Sequence, residues 1–106
     1  MREPFFVWQN RKLIKVQPEY VVLLETTKNY TKIVMVNEQY YMVRSALSRA
    51  LKKLPVELFV KVHRSYVISI NHIDGIERDH LTIGETSVPI GKPYYKALMA
   101  RLNIIE

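Results

Sequence analysis

Three short segments gather the side chains best suited to chemistry, and that chemistry is binding. The first is Thr26-Thr27-Lys28-Asn29-Tyr30-Thr31-Lys32, which sets hydroxyls, an amide and two cations between two apolar runs. Thr, Asn and Tyr bond phosphate oxygens, and an Asn amide also pairs with the adenine edge in a major groove. A polar β-turn is the competing reading, since Lys28-Asn29 is ordinary turn chemistry. The second segment is His63-Arg64-Ser65-Tyr66, directly after Phe59-Val60-Lys61-Val62. An arginine beside a hydroxyl at a strand end can fork onto phosphate or guanine. Against this, Tyr66 reads as core and His63 reads equally as a hydrogen-bonded structural histidine. The third is Ile90-Gly91-Lys92-Pro93, where Lys92 stands before a helical pattern. Its ammonium and the helix dipole would both attract an anion. A plain strand-to-helix connection with a solvated lysine is the alternative.

Catalysis lacks convergent groups. The three histidines, His63, His72 and His80, do not have the close spacing of common zinc sites, and there is no cysteine. Ser65 has no nucleophile elbow around it. Gly75, Gly84 and Gly91 are isolated, so no glycine-rich loop cradles a phosphate. The expectation is a chain that is not an enzyme, with no metal and no cofactor.

The net charge of +6 favours a polyanionic partner. Its distribution narrows that statement. Residues 1–56 hold ten Lys/Arg and four Asp/Glu, whereas residues 57–106 hold six of each. The second half can therefore engage an anion only through single placed cations. With 106 residues, the chain suits one compact domain, 1–106. Its 48% hydrophobic and 25% charged residues are the balance of a folded globular chain. No apolar run approaches bilayer length, the N-terminus lacks the apolar core of a signal peptide, and cysteine is absent. These features give a cytoplasmic expectation with no membrane partner.

The elements that must position the three segments are mainly short strands. Phe5–Trp8 and Arg11–Val16 flank Gln9-Asn10, a two-residue turn signal. Tyr20–Leu24 is a continuous apolar run, as in a strand buried on both faces. Tyr30–Val36 and Gln39–Val43 flank Asn37-Glu38, a second hairpin signal. In Arg44–Leu54 the apolar residues recur at helical spacing, with Ser45 as N-cap and Pro55 as stop. Strand patterning returns at Phe59–Val62, near Ile73–Glu77, around Leu81 and Ile83, and at Thr86–Ile90. Gly84-Glu85 can turn between the last two. Pro93 opens a second amphipathic helix through Leu102. The segment Ser65–Asn71 fits a strand or a helical turn, and Asp74-Gly75 fits a hairpin turn or a bulge. No two helices stand in tandem, so a helix-turn-helix is excluded and recognition falls to loops and strand ends.

The ordered segments resemble a known family. The run Leu58–Ile73, with Phe59 and Val62-His63-Arg64-Ser65-Tyr66 at its centre, resembles the signature of LytTR DNA-binding domains. Leu24-Glu25-Thr26 through Tyr30, Arg44-Ser45-Ala46-Leu47, and Val88 through Tyr94 are similar to its flanking segments. The resemblance spans residues 5 to about 102. It implies a mostly β fold, an elongated stack of small antiparallel sheets with one or two short helices. It also implies sequence-specific reading of double-stranded DNA by loops that enter successive major grooves, for transcriptional regulation. Carried over by position, the loop contact implied falls on Asn29 or Tyr30, the central one on Arg64, next to His63 and Ser65, and the last on Lys92; Lys28 is expected to add a phosphate contact. The family's Asn, which usually stands where this chain has Ser69, is displaced to Asn71. The resemblance further implies either the output half of a two-component response regulator, excised from a receiver domain, or a stand-alone member, of which the first is favoured. It implies direct-repeat sites with two protomers per site and an isolated domain that is monomeric. The competing function is a β-rich protein-interaction module that uses edge strands and its seven tyrosines. An RNA binder would need an aromatic stacking face, with Tyr40, Tyr41 and Tyr66 as candidates, but no run of the RNP type is present.

Overall fold

The computed structural model describes residues 2–106. Strands β1 (Phe5–Gln9) and β2 (Lys12–Val16) form a hairpin. Strands β3 (Val21–Thr27), β4 (Tyr30–Met35), β5 (Tyr40–Val43), β6 (Phe59–His63) and β7 (Tyr66–Ser69) form a five-stranded sheet in the order β5-β4-β3-β7-β6. Strands β8 (Gly75–Ile76), β9 (His80–Ile83) and β10 (Thr86–Pro89) form a third sheet. Every pairing is antiparallel. Helix α1 (Leu47–Leu51) follows β5, and helix α2 (Tyr95–Ala100) follows a 3-10 turn at Lys92–Tyr94.

The middle sheet lies between two cores, and strand parity sorts the side chains. Leu24, Ile33, Phe59 and Val67 join Val7, Val16, Leu47 and Leu54 beneath the hairpin and α1. Leu23, Val60, Val62 and Ile68 join Leu81, Val88, Ile90 and Leu98 beneath the third sheet and α2. Adjacent residues Leu23 and Leu24 thus serve opposite cores, as a period of two requires. Val21–Leu24 are buried throughout, which explains the unbroken apolar run. Each such Leu or Ile contributes roughly 1.5–3 kcal/mol of burial free energy. The layers give an elongated body of 48 × 32 × 25 Å, and the mostly β architecture of stacked antiparallel sheets agrees with the expectation.

Several local expectations shift. The first turn lies at Asn10-Arg11, one residue later than the sequence suggests. Both residues have positive φ, 50° and 64°, the pairing that a right-twisted two-residue hairpin demands. Tyr20 lies in a 3-10 turn, Pro18–Tyr20, ahead of β3. Helix α1 is shorter than its apolar pattern, and its N-cap is Ala46, not Ser45. The carbonyl of Ser45 instead accepts a hydrogen bond from Thr31 Oγ1 at 2.7 Å, which ties the segment to β4 before the helix begins. Ser65–Asn71 resolves into β7 and a 3-10 turn, Ile70–His72. Asp74-Gly75 is neither turn nor bulge: Gly75 begins β8, and the Asp74 carboxylate accepts from the Gly84 amide in the β9–β10 turn.

Side chains bond to both edges of the middle sheet. Gln9 Nε2 donates to the Met42 carbonyl of β5 at 3.1 Å. On β6, Arg101 donates to the Phe59 carbonyl at 3.3 Å and to the neighbouring Val56 carbonyl at 2.6 Å. Among the described residues no helix is long and apolar enough to cross a membrane.

Candidate nucleic-acid interface

The three polar segments are far apart in sequence, and backbone bonds bring them to one end of the middle sheet. The amide of Thr26, near the end of β3, donates to the carbonyl of Ser65 in the β6–β7 turn at 2.9 Å. The amide of Gly91 donates to the carbonyl of Val62 at 2.8 Å. The β3–β4 turn, the β6–β7 turn and the Lys92 turn therefore form one continuous surface. The Glu77–His80 turn joins it, because the Ile90 amide donates to the Asp79 carbonyl at 2.9 Å.

Strand β3 changes character where it reaches this surface. Val21–Leu24 are buried, Glu25 is half-buried, and Thr26 and Thr27 are exposed. Thr27 pairs with Tyr30, so Lys28 and Asn29 form a two-residue turn. Lys28 has a φ of 52°, a left-handed conformation that costs a side-chain-bearing residue roughly 1–2 kcal/mol. Lys28, Asn29 and Tyr30 are all exposed.

In the second segment the irregular register between Lys61 and His63 bends β6 at Val62 and frees its carbonyl for Gly91. His63 is half-buried and serves the turn. Its Nδ1 accepts from the Ser65 amide at 3.0 Å, so the ring proton sits on Nε2 whenever the ring is neutral. Its ring also meets Tyr66 edge-on, with centroids 5.6 Å apart. The structural reading of His63 thus accounts for one nitrogen and one edge. Arg64, between His63 and Ser65, is exposed.

A polar pair supports this turn from behind. Tyr66 lies opposite Glu25 across β7 and β3, and its hydroxyl donates to Glu25 Oε2 at 3.2 Å. Burial, then the Glu25 charge and hydrogen bond, push the Tyr66 phenol above its ordinary value. Glu25 lies opposite Lys32 on its other side, and Lys32 Nζ stands 4.4 Å above the Tyr40 ring. Thr31 is fully buried and bonds the Ser45 carbonyl. Sequence reading missed the Glu25–Tyr66 pair and the buried Thr31 as supports. The available signal was a carboxylate at the end of an apolar strand.

The third segment depends on a close approach. A Cβ added at Gly91 would stand 2.9 Å from a Tyr94 ring carbon and 3.7 Å from His63 Cα. The Tyr94 ring of the same turn leaves no room for a Cβ, whereas the distance to His63 on β6 is ordinary contact. Lys92 is exposed at the start of the 3-10 turn. The helix behind it has six residues, so the dipole part of the expectation shrinks and the ammonium carries the charge.

Lys28, Arg64 and Lys92 have neither a salt bridge nor a side-chain hydrogen bond among the described residues. Arg44, Lys52, Lys53 and several other surface cations are unpaired too among the described residues, whereas three basic groups are internally engaged. Arg2 pairs with Glu57 at 3.0 Å, Arg101 bonds backbone carbonyls, and His80 is held between Asp79 and Glu77 at 2.8 and 3.2 Å. No group of three metal-ligating side chains occurs among the described residues.

Comparison with known proteins bears on the family and the fold. The family model of the LytTr DNA-binding domain matches residues 11–103. The sensory transduction protein LytT of Enterococcus faecalis is 28% identical over 100 residues, covering 88% of this chain and 40% of that protein. The chain thus spans about two fifths of the length of that relative. A LytTr DNA-binding domain from a Bacillus cereus response regulator superposes with a TM-score of 0.81 at 22% identity, covering 98% of this chain and all of that one. The match over residues 11–103, together with the shared architecture, shows that the chain belongs to the LytTr family of DNA-binding domains.

Proposed function

We propose that this domain reads specific double-stranded DNA sequences to regulate transcription, using three turns at one end of its middle sheet. The observation that carries the reading is the pair of backbone bonds, Thr26 to Ser65 and Gly91 to Val62, which hold exposed Lys28, Arg64 and Lys92 on one surface. Arg64 reads a base edge, with Ser65 and the free Nε2 side of His63 beside it on the backbone of the duplex. Asn29 and Tyr30 enter the adjoining major groove, and Lys92 engages the next contact along. Lys28 neutralises phosphate without reading sequence.

In the cell, the domain is the output half of a two-component response regulator, acts in the cytoplasm and performs no catalysis of its own. Two protomers occupy a direct-repeat site, each monomeric until it meets DNA. The decisive experiment is selection from a pool of random duplexes at a stated salt concentration. An enriched motif that recurs at a fixed spacing is the expected result. A pool that stays random, with affinity tracking only duplex charge, would overturn the reading.

A further inference from the structure

Away from the DNA-facing end, a groove of about 860 Å³ runs between β1 and the segment that carries α1. Buried Leu24, Ile33 and Leu54 lie beneath it, and half-buried Val43 and Ala50 line it on the α1 side. Phe5 and Trp8 of β1 form one wall, and Trp8 is 66% exposed although apolar. The rim is basic. Arg44, Lys52 and Lys53 line it and have no salt bridge among the described residues. Of the two acids on the rim, Glu57 is neutralised by Arg2, which leaves Glu3 alone.

We infer that this groove is a binding site for a small amphiphilic anion, an apolar chain or ring system ending in a carboxylate. The volume falls in the upper part of the range of about 300–1,000 Å³ typical of small-molecule sites. The apolar tail lies against Trp8, Phe5, Val43 and Ala50, exposed or half-buried side chains of the groove, where it replaces water. The carboxylate meets Lys52 and Lys53 at the rim, where charge-assisted hydrogen bonds hold it. Charge separates this occupant from a peptide strand added along the edge of β1, since a strand there would pair with backbone and leave Lys52 and Lys53 without a partner. The site is independent of the DNA-reading turns and stands whether or not they select a sequence.

The test uses dodecanoate below its micelle concentration, read by the emission of Trp8, the only tryptophan in the chain. A saturable one-to-one change is expected, and calorimetry should give the same midpoint. Replacing both rim lysines, K52Q with K53Q, should weaken binding about tenfold, because two charge contacts of modest strength are lost. K96Q, an exposed cation on α2 in the opposite layer, should leave it unchanged. The inference is overturned if Trp8 emission shows no saturable response or if dodecyltrimethylammonium binds as well as dodecanoate. It is equally overturned if K96Q weakens binding as much as the rim variant.

Discussion

The Thr26 amide donates to the Ser65 carbonyl across 2.9 Å, although 39 positions separate the two residues. This bond locks the tip of the β3–β4 hairpin to the β6–β7 turn. The turns that carry the exposed cations Lys28 and Arg64, on either side of it, are therefore held at a fixed offset. Fixed offsets between loops are what allow several short contacts to read one duplex in register.

Arg64→Ala and Lys92→Ala should each cost roughly 1–3 kcal/mol on the selected duplex wherever they read a base, and far less on scrambled DNA. Lys28→Ala should weaken both duplexes alike and lower the slope of log affinity against log salt by about one. Titrations of selected and scrambled duplexes at several salt concentrations distinguish the two behaviours. Equal losses for Arg64→Ala on both duplexes would reduce Arg64 to a phosphate contact.

Tyr66→Phe removes the hydroxyl that donates to Glu25 Oε2. The half-buried carboxylate then loses a partner, while the ring keeps its packing against His63. Urea unfolding should show a loss of about 1 kcal/mol, the ordinary magnitude for a hydrogen bond of this kind. An unchanged midpoint would mean that water replaces the phenol at no cost.

Arg11→Gly should stabilise the domain by roughly 0.5–1 kcal/mol, because Arg11 holds a φ of 64° in a turn that favours Asn-Gly. Asn10 already occupies the first position. The gain is read from the urea midpoint, and destabilisation would mean that the Arg11 side chain contributes more than its strain removes.

His80 lies between Asp79 and Glu77, and the pair gives stability a pH window. The hydrogen bond to Asp79, aided by the charge of Glu77, raises the His80 pKa above its ordinary 6.5. Its stabilisation is fully present below that ordinary value and is lost as pH rises through the raised one. The bond to His80 lowers the Asp79 pKa below its ordinary 3.8. That stabilisation is present above 3.8 and is lost as pH falls through the lowered value. The stability difference between wild type and His80→Gln should therefore be greatest between the two ordinary values and should shrink toward alkaline pH. Thermal unfolding across that range checks it, and a difference independent of pH would assign His80 a neutral role.

The sequence by itself determined most of the strands, the family and the three polar segments. Periodicity recorded the burial of Val21–Leu24 and the alternation around Leu81, because burial is a property of each strand with its own faces. Polar composition marked Thr26–Lys32, His63–Tyr66 and Ile90–Pro93, because a segment that cannot be buried must be polar. Local chemistry did not settle the turn at Asn10-Arg11 or the start of α1. The first follows from cross-strand register, and the second from a bond that Thr31 makes with Ser45 across 14 positions. The tertiary structure alone decided that the three segments meet. Their contact rests on hydrogen bonds between main-chain groups that every residue carries, so no side-chain pattern encodes it. Gly91 records only its own turn, since an added Cβ would meet the Tyr94 ring at 2.9 Å but His63 Cα at an ordinary 3.7 Å.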